Sequence, residues 1–307
     1  MFDIVCLGSS LVDLFITSKE FSLSKSDQGV LLCSRFGEKI DVDEFTMVSG
    51  GGASNTAVGF ARQGFSVASI SELGKDALSH TVLDELLDEG VDTSMIIREK
   101  REDTGMSVIL IAPAGGRTIL VNRGASSQLE DTDIEWLQLI DSRWLHVSSL
   151  AGQFPLLQKI MYHVGEHKQG FSWNPGTADL ALLQSGQLQV THLTASILFL
   201  NRSEWQLLES LQLEIKQRIP VIIITSGKEG GVVYTKGVET KYSSLEVPTK
   251  DETGAGDAFG VGFVSAHLRG ASLQECIELG KANAAGVVQQ MGAKAGLLSQ
   301  TKTSILN

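Results

Sequence analysis

The chain has 307 residues and carries 25 Lys and Arg against 36 Asp and Glu, a net charge of -11 with no basic block. That balance argues against nucleic acid and anionic membranes as partners. Its 42% hydrophobic content and near-zero mean hydropathy suit a large water-soluble core, built as one large domain with an appendage or as two domains.

Cys6, Cys33 and Cys276 are an odd, scattered set that supports neither a disulfide framework nor a zinc knuckle. Asp3 stands where a signal peptide would be positive, and no apolar run approaches the ~18 residues of a membrane span. The expected location is the reducing cytoplasm. If the ligand is anionic, a chain this acidic must hold it through local devices such as helix N-termini, which directs attention to glycine loops.

In chain order, IVCLG at 4–8 reads as a short strand and TAVGFARQG at 56–64 as a helix ending in glycine. VASISEL at 67–73 and DALSHTVLDELLDEG at 76–90 repeat the theme, and WLHVSS, FPLLQKIMYHVGEHK, GFSWN, ILFLN, SEWQLLESL and VIIIT continue it. Strands alternating with helices predict an α/β fold with a mostly parallel sheet covered on both faces. Residues 14–48 lack a helical period, and TGMSVILIAPAGGRTILVNRG at 104–124 reads as an antiparallel hairpin with a glycine turn; together they predict a small β-appendage. A second hairpin, GGVVYTKGVETKYSSL at 230–245, is expected at an edge of the main sheet, and the last few residues are expected to fray.

DETGAGDAFGVGFVSA at 251–266 places Thr253, Gly254, Ala255 and Gly256 at the mouth of the helix that Asp257 opens. Main-chain N–H groups gathered there make an anion cradle, and glycine allows a ligand to come close. A phosphoryl group in transfer spreads charge over its equatorial oxygens, which such donors stabilise, while Asp257 is placed to take the proton of an attacking hydroxyl. The same residues also suit a capped helix and a tight turn, and this stretch alone leaves both readings open.

DETGAGDAF resembles the C-terminal signature of the ribokinase-like (PfkB) sugar and nucleoside kinases, and SGGGASNTA at 49–57 resembles their N-terminal signature. GSSLVD at 8–13, NRSE at 201–204 and TSGKEGG at 225–231 also look like family segments, so five separated motifs cover nearly the whole chain.

The resemblance implies a three-layer α/β/α domain over residues 1–307 with a β-sheet lid, here expected in segments 14–48 and 97–124. It implies phosphate transfer from ATP, with Mg2+ and a monovalent cation such as K+, to an alcohol of a sugar or nucleoside. Asp257 would be the base, and Gly254, Ala255 and Gly256 the anion hole. Asp13, Gly51, Gly52 and Asn55 would hold the substrate, Asp13 by accepting hydroxyls. Asp251, Thr253 and Gly292 would hold the monovalent cation.

Asn201 and Glu204 would act near magnesium, mostly through water, although the pair also spells a capping box. Thr225, Gly227 and Gly230 would flank the nucleotide, with Asn283 facing adenine. Ribokinase proper carries a lysine where this chain has Gly52, so the substrate does not follow from the signature.

Other patterns carry less. HVGEH at 163–167 has the H-x-x-E-H spacing of some zinc peptidases but lies on an apolar-striped helix. TSGKEGG lacks the upstream glycine of a P-loop, and neither glycine-rich stretch has dinucleotide spacing. Trp136, Trp144, Trp173 and Trp205 read as packing residues. Competing expectations are a nucleoside kinase, with Phe15, Phe36 and Met106 as candidates for a base slot, and a non-catalytic scaffold. Exposed lid strands make a homodimer through the lid an expectation as well.

Overall fold

The computed structural model describes residues 1–27, 29–99, 101–113 and 116–300. The chain opens with β1 (Ile4–Leu7) and β2 (Leu11–Thr17), then a hairpin of β3 (Ser22–Ser26) and β4 (Gly29–Cys33), then β5 (Glu44–Gly50). Next come α1 (Gly52–Arg62), β6 (Val67–Ile70), β7 (Glu72–Gly74), α2 (Leu78–Asp88) and β8 (Ile97–Glu99). β9 (Met106–Ile111) and β10 (Arg117–Asn122) pair antiparallel, and α3 (Trp136–Ile140) leads back to the main sheet.

There the alternation is regular: β11 (Trp144–Val147), α4 (Phe154–His167), β12 (Gly170–Trp173), α5 (Thr177–Gln184), β13 (Ile197–Asn201), α6 (Arg202–Leu207), α7 (Gln212–Arg218) and β14 (Val221–Thr225). β15 (Gly231–Thr235) and β16 (Val238–Tyr242) form the expected second hairpin, and α8 (Ala255–Leu268) and α9 (Leu273–Val288) close the fold.

The eight-stranded sheet runs β16-β15-β14-β13-β12-β11-β1-β6, parallel from β14 to β6 and antiparallel at the β15–β16 edge. Its strands are apolar on both faces because each face carries a helical layer. Side chains alternate accordingly: Val5 and Leu7 join one core with α4, α5 and α7, while Ile4 and Cys6 join the other with α1, α2, α8 and α9. β13 and β14 divide the same way, Leu198, Leu200, Ile222 and Ile224 on the first side and Ile197, Phe199 and Ile223 on the second. Trp144, Trp173 and Trp205 are buried, as expected of packing residues.

The lid is a four-stranded sheet, β10-β9-β2-β5. It differs from expectation at both boundaries. It begins at Leu11, so Asp13 lies within it, and β8 at Ile97–Glu99 pairs with β7 instead of joining it. The VASISEL run is split for the same reason: Val67–Ile70 enters the main sheet and Glu72–Gly74 turns away to meet β8. SEWQLLESL also breaks, because the helix stops at Leu207 and a 3-10 turn intervenes before α7. Residues 114 and 115, part of the expected glycine turn, and residues 301–307 at the end expected to fray lie outside the described residues. Phe45 and Met47 on β5 and Ile119, Leu120 and Val121 on β10 are exposed on the two outer strands of the lid.

α8 is held close to α9 by two glycines. A Cβ at Gly262 would stand 2.5 Å from the Leu279 carbonyl oxygen and 2.8 Å from the Gly280 Cα, both main-chain atoms that cannot turn aside. Gly260, two residues earlier, meets nothing nearer than 3.7 Å. Gly262→Ala is expected to push the helices apart at about 1–3 kcal/mol, more than the roughly 1 kcal/mol gained in helix propensity. Gly260→Ala keeps that gain and is expected to be neutral or stabilising; urea midpoints of the two variants check the contrast.

Candidate active site

Asp257 stands in the first turn of α8, and Asn55 in the first turn of α1. The two helices lie side by side, with Gly59 against Val261, so their N-termini reach the same edge as the carboxyl ends of the parallel strands. Asn55 Nδ2 donates to Asp257 Oδ2 at 2.9 Å. Asn174, the residue after β12, donates from its own amide to Oδ1 at 3.3 Å. Burial pushes the Asp257 carboxyl up to about 6, the two amides oppose that rise, and the nearby Asp13 adds to it. A carboxylate poised close to neutrality and held from both sides is suited to accept a proton.

The loop before α8 turns through Gly254 at φ 75°, where a Cβ would collide with Ala293. The first N–H groups of a helix have no carbonyl a turn behind them, so Gly256 and Asp257 present donors at this mouth, while the Ala255 N–H bonds the Glu252 carbonyl at 3.3 Å. Gly256 is exposed, with open space where a side chain would be. Beside it lies a cleft of about 640 Å³ that brings together Asn201, Thr225, Gly227, Gly230, Ala255 and Gly256 from the ends of β13, β14 and α8.

Asn283 is not among them. It is fully buried, its amide donating to the Ala258 carbonyl at 2.7 Å and accepting from the Leu298 N–H at 2.8 Å, so it ties α8 and α9 to the C-terminal segment. The face of α9 turned to the cleft carries Lys281, Ala284, Ala285 and Val288 instead. The helical register decides this: the expectation chose a polar residue on the wrong face.

Asn201 and Glu204 form the capping box, Asn201 Oδ1 accepting from the Glu204 N–H at 2.9 Å and Glu204 Oε2 from the Asn201 N–H at 2.7 Å. Oε1 of Glu204 takes no hydrogen bond from the described residues, and burial raises the carboxyl's pKa. An oxygen left free beside Asn201, which lines the cleft, fits an ion that keeps its own waters.

Asp13 and Asn55 are both buried, and the Asn55 Oδ1 has no partner among the described residues. Asp13 lies against Gly50, where any Cβ would strike its Oδ2, and burial raises its pKa against a hydrogen bond from Ser107. Gly51, at φ 94°, is pressed on the Ser9–Ser10 backbone. Gly52 does not face open space: a Cβ there would stand 2.5 Å from the Ser148 side chain, which gives a steric reason for the missing lysine.

A buried cation nevertheless sits beneath this region. Lys294, 4% exposed, donates to Ser54 Oγ at 2.8 Å, to Glu85 at 3.1 Å and to Ser49. Burial lowers its pKa and Glu85 opposes this; the ammonium in turn pulls down the pKa values of Asp13 and Asp257. Neither Lys294 nor Asn174 announces itself in the sequence, since each acts on residues that only the fold makes its neighbours.

Asp251, Thr253 and Gly292 do meet, but not as ligands of a dissolved ion. Asp251 Oδ1 accepts from the Thr253 N–H at 3.0 Å, from Thr253 Oγ1 at 2.7 Å and from Arg117 of the lid, while Oδ2 accepts from the Gly292 N–H at 3.0 Å. Two N–H groups, a hydroxyl and a guanidinium thus meet the carboxylate where a monovalent cation was expected, three of them on Oδ1 and one on Oδ2.

Elsewhere, His163 of the HVGEH run is buried 5.2 Å from the Trp136 ring, and no group of three His, Cys, Asp or Glu among the described residues is placed to hold a metal. A groove of about 750 Å³ beside α4 shares no residue with the cleft at Gly256 or with the Asp257 cluster. No helix of the described residues is long and apolar enough to cross a membrane.

The pfkB family carbohydrate kinase profile matches residues 1–300. A ribokinase of Haemophilus influenzae is 28% identical over 281 residues, covering 87% of this chain and 90% of its own. A fructokinase of Escherichia coli is 28% identical over 289 residues, covering 84% and 82%. The crystal structure of a nucleoside kinase of Methanocaldococcus jannaschii superposes with a TM-score of 0.80 at 23% identity, over 99% of this chain and 97% of that one.

Removing the buried ammonium tests its place in the site. Lys294→Met is expected to cost about 1–3 kcal/mol by leaving buried acceptors unpaired. It is also expected to move any acid limb governed by Asp257 to higher pH; urea denaturation and a pH profile check the two effects.

Proposed function

The chain belongs to the pfkB family of carbohydrate kinases, and from that premise we propose that it moves the γ-phosphate of ATP to a hydroxyl of a sugar or sugar-like polyol. The observation that carries the reading is the Asp257 carboxyl, raised to about 6 and clasped by Asn55 and Asn174 beside the open N–H groups of α8. A helix cap has no need of such an environment.

In this reading Asp13 and Asn55 orient the substrate's hydroxyls, and Asp257 accepts the proton of the one that attacks. The hydroxyl oxygen forms its bond to the γ-phosphorus as the bond from that phosphorus to the β–γ bridging oxygen breaks, and ADP leaves with the electron pair. The loop at Gly254, Ala255 and Gly256 stabilises the charge on the transferring group. Glu204 would hold magnesium through water, and the ion would supply neutralisation of phosphate charge. Lid closure over Asp13 excludes water from the reacting atoms.

A sugar is favoured over a nucleoside because the candidates for a base slot do not assemble: Phe15 is buried in the lid's packing, Phe36 is fully exposed and Met106 is half-buried. Assay of ADP release over a panel of sugars, sugar acids, polyols and nucleosides checks this, with turnover expected on a member without a base; turnover confined to nucleosides would reverse the choice. A chain that bound ligands without any turnover would instead be the scaffold.

Asp257→Asn is expected to lower kcat by about 10²–10⁴-fold while ATP still binds. Because Asp257 acts as a base, turnover should fall as pH drops through about 6. The stability sign is opposite: the fold disfavours the ionised carboxyl, so its contribution is present below the ordinary value of 3.8 and lost as pH rises through about 6. Initial rates and melting temperatures across pH measure both.

A further inference from the structure

We propose that the guanidinium of Arg117, carried by the lid, is the fixed positive charge of the Asp251 site, so that this kinase needs no dissolved monovalent cation there. The inference rests on the kinase reading for its functional meaning, but its structural content stands on Asp251 itself.

Asp251 is 4% exposed at its side chain, directly before the anion loop. A carboxylate buried to that degree must be neutralised or richly hydrogen-bonded. Here both happen. An ionised carboxylate offers about four acceptor positions over its two oxygens. The described donors number four: the Thr253 N–H, the Thr253 hydroxyl, the Gly292 N–H and the Arg117 guanidinium.

An alkali cation needs oxygen lone pairs aimed at it. At this position the N–H groups of Thr253 and Gly292 take two acceptor positions of the carboxylate without neutralising it, and its charge is met by the Arg117 guanidinium, a group of the same sign as the ion. Guanidinium and cation therefore compete for one charge.

Arg117 begins β10, an outer strand of the lid, and its only strand partner is Ile111 on β9. Its side chain is 31% exposed and borders the same cleft as Ala255 and Gly256. The ion pair thus spans two bodies of the fold: the lid supplies the charge, and the loop before α8 receives it. Closure of the lid over Asp13 and neutralisation behind the anion loop become one event, where a diffusible ion would leave them independent.

The test is the melting temperature of the full chain without substrates, in potassium chloride and in N-methyl-D-glucamine chloride at matched ionic strength. The wild type is expected to melt at the same temperature in both. Arg117→Ala, which uncovers Asp251, is expected to gain a saturable upward shift specific to potassium, and Arg117→Ala with Asp251→Asn is expected to lose it. Arg117→Gln, which keeps bulk and hydrogen bonding but not charge, stands in if the alanine variant fails to fold.

A potassium-specific, saturable shift in the wild type would overturn the proposal, as would indifference to potassium in both neutral variants. ADP release measured in the same two salts separates the layers: absence of turnover on every substrate sinks the kinase reading while the melting comparison still decides the role of Arg117.

Discussion

The site depends on keeping one carboxyl where its charge is only just tolerated. At the ordinary aspartate value Asp257 would be a feeble base at neutral pH, and fully desolvated without donors it would stay protonated. Burial at the mouth of α8 and two amide donors set it between these limits, at about 6. Each donor comes from a different segment, Asn55 from α1 and Asn174 from the end of β12, so the value depends on three elements keeping their spacing. The close approach of α8 to α9 at Gly262 and Gly280, and of α1 to α8 at Gly59, maintains that spacing on the far side of the helices.

Asp251 and Asp257 flank one loop and receive opposite treatment. Asp251 accepts from four donors and ties the loop, the Gly292 turn and the lid together. Asp257 has two donors among the described residues, both amides, which leaves part of its accepting capacity unused. Titratable groups whose surroundings set them to different tasks are a mark of acid–base chemistry. Lys294 contributes from below by lowering the proton affinity of both Asp13 and Asp257 without touching either through a hydrogen bond.

What the sequence made legible follows from the range of the interactions involved. The parallel sheet was readable because apolar runs such as IVCL, ILFLN and VIIIT must be buried on two faces, and the antiparallel edge and the lid hairpin because alternation and glycine mark them locally. The turn at Gly254 and the start of α8 were readable because a glycine turn running into a helix is written in a few consecutive residues.

Asn174, Lys294 and Arg117 were not, since each reaches a partner 83 to 245 residues away and nothing in its own neighbourhood encodes the meeting. Asn283 was misread because a helix shows the sequence all its faces at once, and packing decides which one is wet. The Arg117 contact was hidden for a similar reason: Asp251, Thr253 and Gly292 are legible in the sequence, but the guanidinium that meets Asp251 comes from another sheet.

The charge around the nucleotide-side cleft explains why main-chain donors matter so much here. Arg117, Lys228 and Lys281 border it, and so do Glu246 and Glu252. Arg117 is committed to Asp251, and Lys281 bonds Glu278 at 2.9 Å, so side chains leave little free positive charge for a triphosphate. The chain's net charge of -11 offers no help, and screening confines most of its repulsion to within about 8–10 Å. In the proposed reading, recognition of phosphate then rests on oriented N–H groups and on the metal that would arrive with the nucleotide. The small residues Gly254, Ala255 and Gly256 suit that role: they leave the Gly256 N–H uncovered, and an uncovered helix end is an anion receptor that an acidic surface does not cancel at short range.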